Sequence, residues 1–147
     1  MFREARSGDL AAIARLYGQL NPDDPPVVDR ALFATILTVN GLRLFVLERR
    51  SEVVATTYLN IIPNLTRGGR PYAVTENVVV EESYRGVGLG KAVMAGTLHA
   101  AWEAGAYKAM LMTGSSRAST HAFYRACGFV GDVKTAYFAR PGLPGPH

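Results

Sequence analysis

The sequence predicts a single α/β domain whose central sheet is covered by helices on both faces, and three observations carry that expectation. The run from Tyr72 to Val80 ends in Val78-Val79-Val80, apolar on both sides as a strand covered from above and below must be. A helical pattern follows and leads to a second apolar run, Lys108 to Thr113, so that strand, helix and strand come in succession. At 147 residues the chain can bury roughly two thirds of the surface its unfolded form exposes, enough to enclose a pocket without a partner.

Phe2 to Arg6 reads as a short leading strand. Leu10, Ile13, Leu16, Tyr17 and Leu20 then recur at three- and four-residue steps behind a cap at Ser7 or Asp9, the mark of an amphipathic helix. Asn21-Pro22-Asp23-Asp24-Pro25-Pro26 breaks it, because proline removes a donor and restricts its predecessor; a second helix of about a dozen residues runs on to Asn40-Gly41. Leu42 to Glu48 and Val53 to Ile62, split by the polar Arg49-Arg50-Ser51-Glu52, form a β-hairpin. Pro63 to Pro71 is a loop before the Tyr72 strand. Leu89, Val93, Leu98 and Trp102 supply the apolar stripe of a helix ending near Gly105. After the Lys108 strand, Ala118 to Ala126 is a short helix closed by Gly128, and Phe129 to Phe138 is a last strand or pair. Residues 1–140 are thus one domain and 141–147 a flexible Pro/Gly-rich tail.

Composition excludes several functions. With 48% hydrophobic and 19% charged residues the chain is globular. Its net charge of +4 is spread over scattered arginines, without the basic stripe and interleaved aromatics of a nucleic-acid binder. No apolar run approaches the roughly 18 residues of a membrane span. One cysteine, Cys127, rules out an internal disulfide and suits the cytoplasm; beside Gly128-Phe129 it reads as a structural thiol. His99, His121 and His147 have no metal-ligand spacing, so no metal is expected.

Arg85-Gly86-Val87-Gly88-Leu89-Gly90, directly after the Val78 strand and opening a helix, places bare backbone N–H groups at a helix N-terminus, where unsatisfied donors and the dipole attract phosphate. Arg85 and Lys91 add cations. A dinucleotide fingerprint starting at Gly86 or Gly88 would need glycine at Lys91 or Val93. A nucleotide-hydrolase loop would need Ser or Thr where Ala92 stands. Both spacings fail.

Arg85-x-x-Gly88-x-Gly90 after Glu76-Asn77-Val78-Val79-Val80 resembles the acetyl-CoA signature of the GCN5-related N-acetyltransferase (GNAT) family, and Ala122-Phe123-Tyr124-Arg125-Ala126-Cys127-Gly128-Phe129 resembles its late Tyr-x-x-x-Gly-Phe helix. The resemblance implies a mixed sheet whose Val78 and Lys108 strands splay apart to admit pantetheine. Val78, Val79 and Val80 would hold that arm by their main chain, and the amides from Gly86 through Val87, Gly88, Leu89 and Gly90 to Lys91 the pyrophosphate.

For chemistry, acetyl transfer needs a deprotonated amine, a place for the oxyanion and a proton for the thiolate. Glu76, the only acid within its strand, is the candidate base, directly or through water; the Val78 N–H is the candidate oxyanion donor; Tyr124 resembles the family tyrosine that protonates coenzyme A. Arg117 stands where many relatives carry asparagine, and is either a contact to a cofactor phosphate or a surface arginine. Ser115 and Ser116 are candidates to cap that helix or to donate to the same phosphate. Arg67 and Arg70, beside Asn64 and Thr66, either favour an acceptor bearing a carboxylate or phosphate or are solvated. The expected reaction joins acetyl-CoA and a small-molecule primary amine such as an amino sugar, amino acid or polyamine, without nucleic acid or membrane, in a monomer or homodimer. The rival readings are a protein or peptide N-acetyltransferase and a non-catalytic acyl-CoA-binding domain.

Overall fold

A computed structural model of the chain describes residues 1–143, so the tail expected over 141–147 lies outside the described residues from position 144 on, His147 included. The chain divides into two compact units, Met1–Leu111 and Met112–His147. The first holds β1 (Phe2–Glu4), α1 (Leu10–Leu20), α2 (Arg30–Thr38), β2 (Leu42–Arg49), β3 (Glu52–Ile62), β4 (Tyr72–Val80), α3 (Leu89–Glu103) and β5 (Ala109–Met110); the second holds α4 (Ala118–Ala126).

In the first unit the strands lie in the order β1-β2-β3-β4-β5, antiparallel as far as β4 and parallel between β4 and β5. Side chains alternate across the sheet. Leu44 and Val46 of β2 join Ile13, Leu16 and Phe33 of α1 and α2 on one face, while Phe45 between them joins Leu59, Ala73, Ala100 and Ala101 under α3 on the other. The mixed sheet covered on both faces is the architecture expected.

The hairpin forms as expected, with Arg50 and Ser51 as its two-residue turn between the paired Arg49 and Glu52. Both turn residues are left-handed, with φ of 51° and 65°, which matches the twist of the flanking strands. Asp29 caps α2, accepting from the N–H groups of Ala31 and Leu32 at 2.8 and 3.1 Å, and that helix spans nine residues rather than a dozen. Neither Ser7 nor Asp9 caps α1 by a side chain. The Asp9 carboxylate reaches back instead, accepting from the Arg6 N–H at 2.7 Å and from two Arg3 nitrogens at 2.8 and 3.1 Å. The arginine holds that carboxyl below the usual range.

Of the expected stripe helix α3 buries Val93 fully and Leu89 and Leu98 in part, but not Trp102. Val93, Met94, Thr97, Ala100 and Ala101 face inward, whereas Trp102 is 49% exposed. The helix approaches the sheet closely at one point: a Cβ on Gly96 would stand 2.8 Å from the ring of Phe2, which stacks on Phe45 with centroids 4.7 Å apart. Small side chains are what fit against this part of the sheet.

Two expected strands contract or fail. The Lys108 to Thr113 run pairs only at Ala109 and Met110, although β4 itself runs on to Val80. Phe129 to Phe138 forms no strand among the described residues, and Val130, Val133, Tyr137 and Phe138 there are 69% to 92% exposed. Alternating apolar residues need a paired edge to become a strand, and these have none among the described residues.

Candidate active site

Strand β4 is the element on which the site is built. Tyr58 pairs with Glu76 and Thr56 with Val79, so Asn77 and Val78 together stand opposite Thr57. This is a β-bulge, and Asn77 takes the left-handed φ of 50° that lets the chain accommodate the extra residue. Asparagine is among the few side chains that tolerate the conformation. Before the bulge Tyr72, Val74 and Glu76 share one face; after it Val79 returns to that face and packs with Ile13 and Leu16.

The ladder between β4 and β5 ends at Val74 and Met110, while β4 runs on to Val80. Its outer edge there faces no strand among the described residues. One edge group is occupied: Arg85 Nε donates to the Val80 carbonyl at 3.1 Å.

Beyond Val80 the chain turns through Glu81 to Gly88. Gly86 and Gly88 have φ of 82° and 85°, and a Cβ on Gly88 would meet nothing within 4 Å, so glycine serves the backbone conformation and leaves the space in front of it open. Leu89, Gly90 and Lys91 form the first turn of α3, whose first bond runs from the Ala92 N–H to the Gly88 carbonyl at 3.1 Å. No side chain caps this end. Orphan N–H donors, the positive end of the helix dipole and Lys91 in the first turn suit a diphosphate.

Helix α1 is fastened to the start of this loop. The Glu81 carboxylate accepts from Gln19 at 2.7 Å and Arg15 at 3.1 Å, while Gln19 Oε1 accepts from the Glu82 N–H. These partners, Gln19 foremost, keep Glu81 ionised below the ordinary carboxylate range.

On the α1 and α2 face a pocket opens among Tyr17, Val27, Leu32, Phe33, Leu44 and Tyr58. Glu76 is exposed beside it as the cross-strand partner of Tyr58. Burial pushes the Tyr17 phenol up to about 12; Asn77 interacts with it and opposes the rise, yet its buried hydroxyl has no partner at hydrogen-bonding geometry. Burial also raises Tyr58. Tyr17, which lines this pocket, figures in the sequence only as part of a helix stripe, and Asn77 only as a neighbour of Glu76 in the signature. The signal for Asn77 was its residue type, in the middle of a β-branched run.

In the second unit, the Tyr124 ring lies 5.1 Å from Phe123 and 6.2 Å, edge-on, from Phe129. The end of α4 is closed by the Phe129 N–H donating to the Tyr124 carbonyl at 3.0 Å. Ser115 organises its start, accepting from the Arg117 N–H at 3.2 Å, pairing with the Thr120 hydroxyl at 3.0 Å and receiving His121 Nε2 on its carbonyl at 2.8 Å. Arg117 is the exposed N-cap residue. Glu76, Val78, Val79, Val80 and Arg85 to Lys91 therefore fall together along one strand and loop of the first unit, and Arg117 and Tyr124 on α4 of the second. Among the described residues no group of three or more His, Cys, Asp or Glu could hold a metal, and no helix is long and apolar enough to cross a membrane.

A short parallel pair at the sheet edge and a left-handed glycine loop running into an uncapped helix together make a place for a ligand that carries a diphosphate. The model of the acetyltransferase (GNAT) family matches residues 10–129, and the chain belongs to that family. It is similar to a glucosamine 6-phosphate N-acetyltransferase of Trypanosoma brucei brucei, with 34% identity over 131 residues and 86% of each chain covered. A solved chain from Agrobacterium tumefaciens str. C58 is 44% identical, with a TM-score of 0.91 over 95% of this chain and 99% of that one. Glucosamine-6-phosphate N-acetyltransferase from Arabidopsis thaliana shares the fold at 22% identity, with a TM-score of 0.82 over 97% of this chain and 98% of that one. The protein is an N-acetyltransferase that takes its acetyl group from acetyl-CoA and delivers it to an amine.

Proposed function

We propose that the acceptor is the primary amine of a small molecule of the amino-sugar class, with glucosamine 6-phosphate first among the candidates. The observation that carries the reading is the opened edge of β4, where Glu76, the Asn77 bulge and the Val78 amide follow one another beside a pocket. The similarity to the trypanosomal enzyme supports the acceptor class, and the family match across residues 10–129 supports treating 1–140 as one working domain.

Glu76 accepts the amine's proton, directly or through water, as the nitrogen attacks the thioester carbon. The Val78 N–H, turned by the bulge, polarises the carbonyl and stabilises the oxyanion. Tyr124 protonates the departing thiolate, a small demand because a thiol's pKa is about 8.5 against about 10 for a phenol. The main chain of Val78 to Val80 pairs with pantetheine as an added strand. Loop amides from Gly86 to Lys91 hold the pyrophosphate, and Arg117 meets a coenzyme phosphate as a fork. The reading places the reaction in the cytoplasm, and the exposed Val130, Val133, Tyr137 and Phe138 support pairing of two copies, which sedimentation would read directly.

The test is release of free thiol from acetyl-CoA against a panel of amino sugars, amino acids, polyamines and peptides. Turnover is expected with the phosphorylated amino sugar, lowered in kcat by Glu76→Gln and by Tyr124→Phe. Turnover only with peptides would overturn the acceptor class. Coenzyme binding without turnover on any amine would leave a binding domain in place of an enzyme.

A further inference from the structure

The loop before β4 and the residues leading into β5 gather three cations around two tyrosines. The guanidinium carbons of Arg67 and Arg70 lie 5.8 and 5.7 Å from the Tyr107 ring centroid; Lys108 Nζ lies 5.3 Å from Tyr107 and 5.4 Å from Tyr72. The backbone builds this grouping. Arg67, Gly68 and Gly69 are three successive left-handed residues, with φ of 58°, 71° and 78°. The turn is tied by the Gly69 N–H to the Thr66 carbonyl at 3.1 Å and by Arg70 Nε to the Arg67 carbonyl at 3.1 Å. On the other side the Tyr107 N–H donates to Pro71 at 3.0 Å and the Ala73 N–H to Lys108 at 2.9 Å.

No ion pair among the described residues involves any of these three cations. Like charges collected at one ring repel, and the ring faces offset that only in part. An anion with several acceptor oxygens complements the arrangement, and arginine's fork favours phosphate. Position relates it to the site: Tyr72 and Glu76 lie on the same face of β4, four residues and so about 13 Å apart along the strand. A hexose phosphate and a long cationic side chain together cover that distance.

We propose that Arg67, Arg70 and Lys108 anchor a phosphate monoester on the acceptor, whose amine then lies at Glu76. The assignment rests on the amino-sugar reading above, and the experiment separates the two. Arg67→Ala combined with Arg70→Ala, and Lys108→Ala alone, are assayed with glucosamine 6-phosphate and with glucosamine, after the coenzyme A-induced melting shift has verified folding. The KM of the phosphorylated sugar is expected to rise at least tenfold more than that of glucosamine, with kcat little altered, and Lys108→Arg to recover most of the loss. Equal changes for the two sugars, or none, would overturn the anchor while leaving the amino-sugar reading intact. If the wild type acetylates neither sugar, that reading fails, and calorimetry with glucose 6-phosphate decides the anchor: binding lost in the variants upholds it, and absence of binding to the wild type sinks it.

Discussion

The Thr97 hydroxyl donates to the Val93 carbonyl at 2.7 Å, so at its 2.6 Å contact with the Thr57 hydroxyl it can only accept. Both side chains are fully buried, and the bond ties α3 to β3. The direction of donation makes the two residues unequal. Thr97→Val strands a buried donor on Thr57 and should cost about 1 to 3 kcal/mol, whereas Thr57→Val removes a donor and leaves Thr97 bonded, costing about 0.5 to 1.5 kcal/mol. Urea unfolding of the two variants checks the order; equal losses would show that the donors are arranged otherwise.

Tyr17 should make the fold labile to alkali. Its phenol is neutral in both states below pH 10; between pH 10 and about 12 the unfolded chain gives up a proton that the folded chain keeps, so stability falls as pH rises through that window. The loss approaches about 2 to 3 kcal/mol on the scale of 1.36 kcal/mol per unit. Tyr17→Phe should flatten the melting temperature over this range and change little at pH 7, since the hydroxyl has no hydrogen-bond partner to lose. A variant that melts like the wild type at pH 11 would contradict it.

Gly88→Ala should separate stability from coenzyme binding. A side chain at φ of 85° is strained even in open space and costs about 1 kcal/mol or somewhat more. The added methyl also enters the open space beside the loop, and with the diphosphate held there as proposed, coenzyme A at millimolar concentration should raise the melting temperature much less than in the wild type. An undiminished shift would place the diphosphate elsewhere.

The β2-β3 turn is a stabilisation site. Replacing Arg50-Ser51 by Asn-Gly keeps both positive φ values and relieves two left-handed side chains, for an expected gain of about 1 to 2 kcal/mol. Thermal unfolding measures it, and a loss would mean that the wild-type side chains hold contacts in the turn that outweigh the strain.

The sheet, its helical covers and the loop of Gly86 to Gly90 were legible because each depends on local patterning: alternation, helical spacing, glycine ahead of a helix. Trp102 was misplaced because hydrophobicity alone cannot report that the face of α3 turned to the sheet is the one carrying Val93, Thr97, Ala100 and Ala101. The Phe129 to Phe138 run was misread because strand patterning does not supply a partner. In the site, the Val78 strand and the loop were plain from residue order, but the bulge at Asn77 is a matter of register between β3 and β4, which only pairing reveals. Lys108 joined Arg67 and Arg70 for a similar reason, since residues far apart in the chain become neighbours where two strand starts lie side by side.

The strand order β1 to β5 repeats the order of the chain. As the polypeptide leaves the ribosome, no strand has to be threaded between two that are already paired, and each can be laid against the growing edge. The parallel β4-β5 pair comes last and must wait for the α3 crossover. Synthesis therefore builds the antiparallel meander and the pocket under α1 and α2 before the parallel pair exists, and a chain stalled before Ala109 would hold four paired strands with the β4 edge still bare.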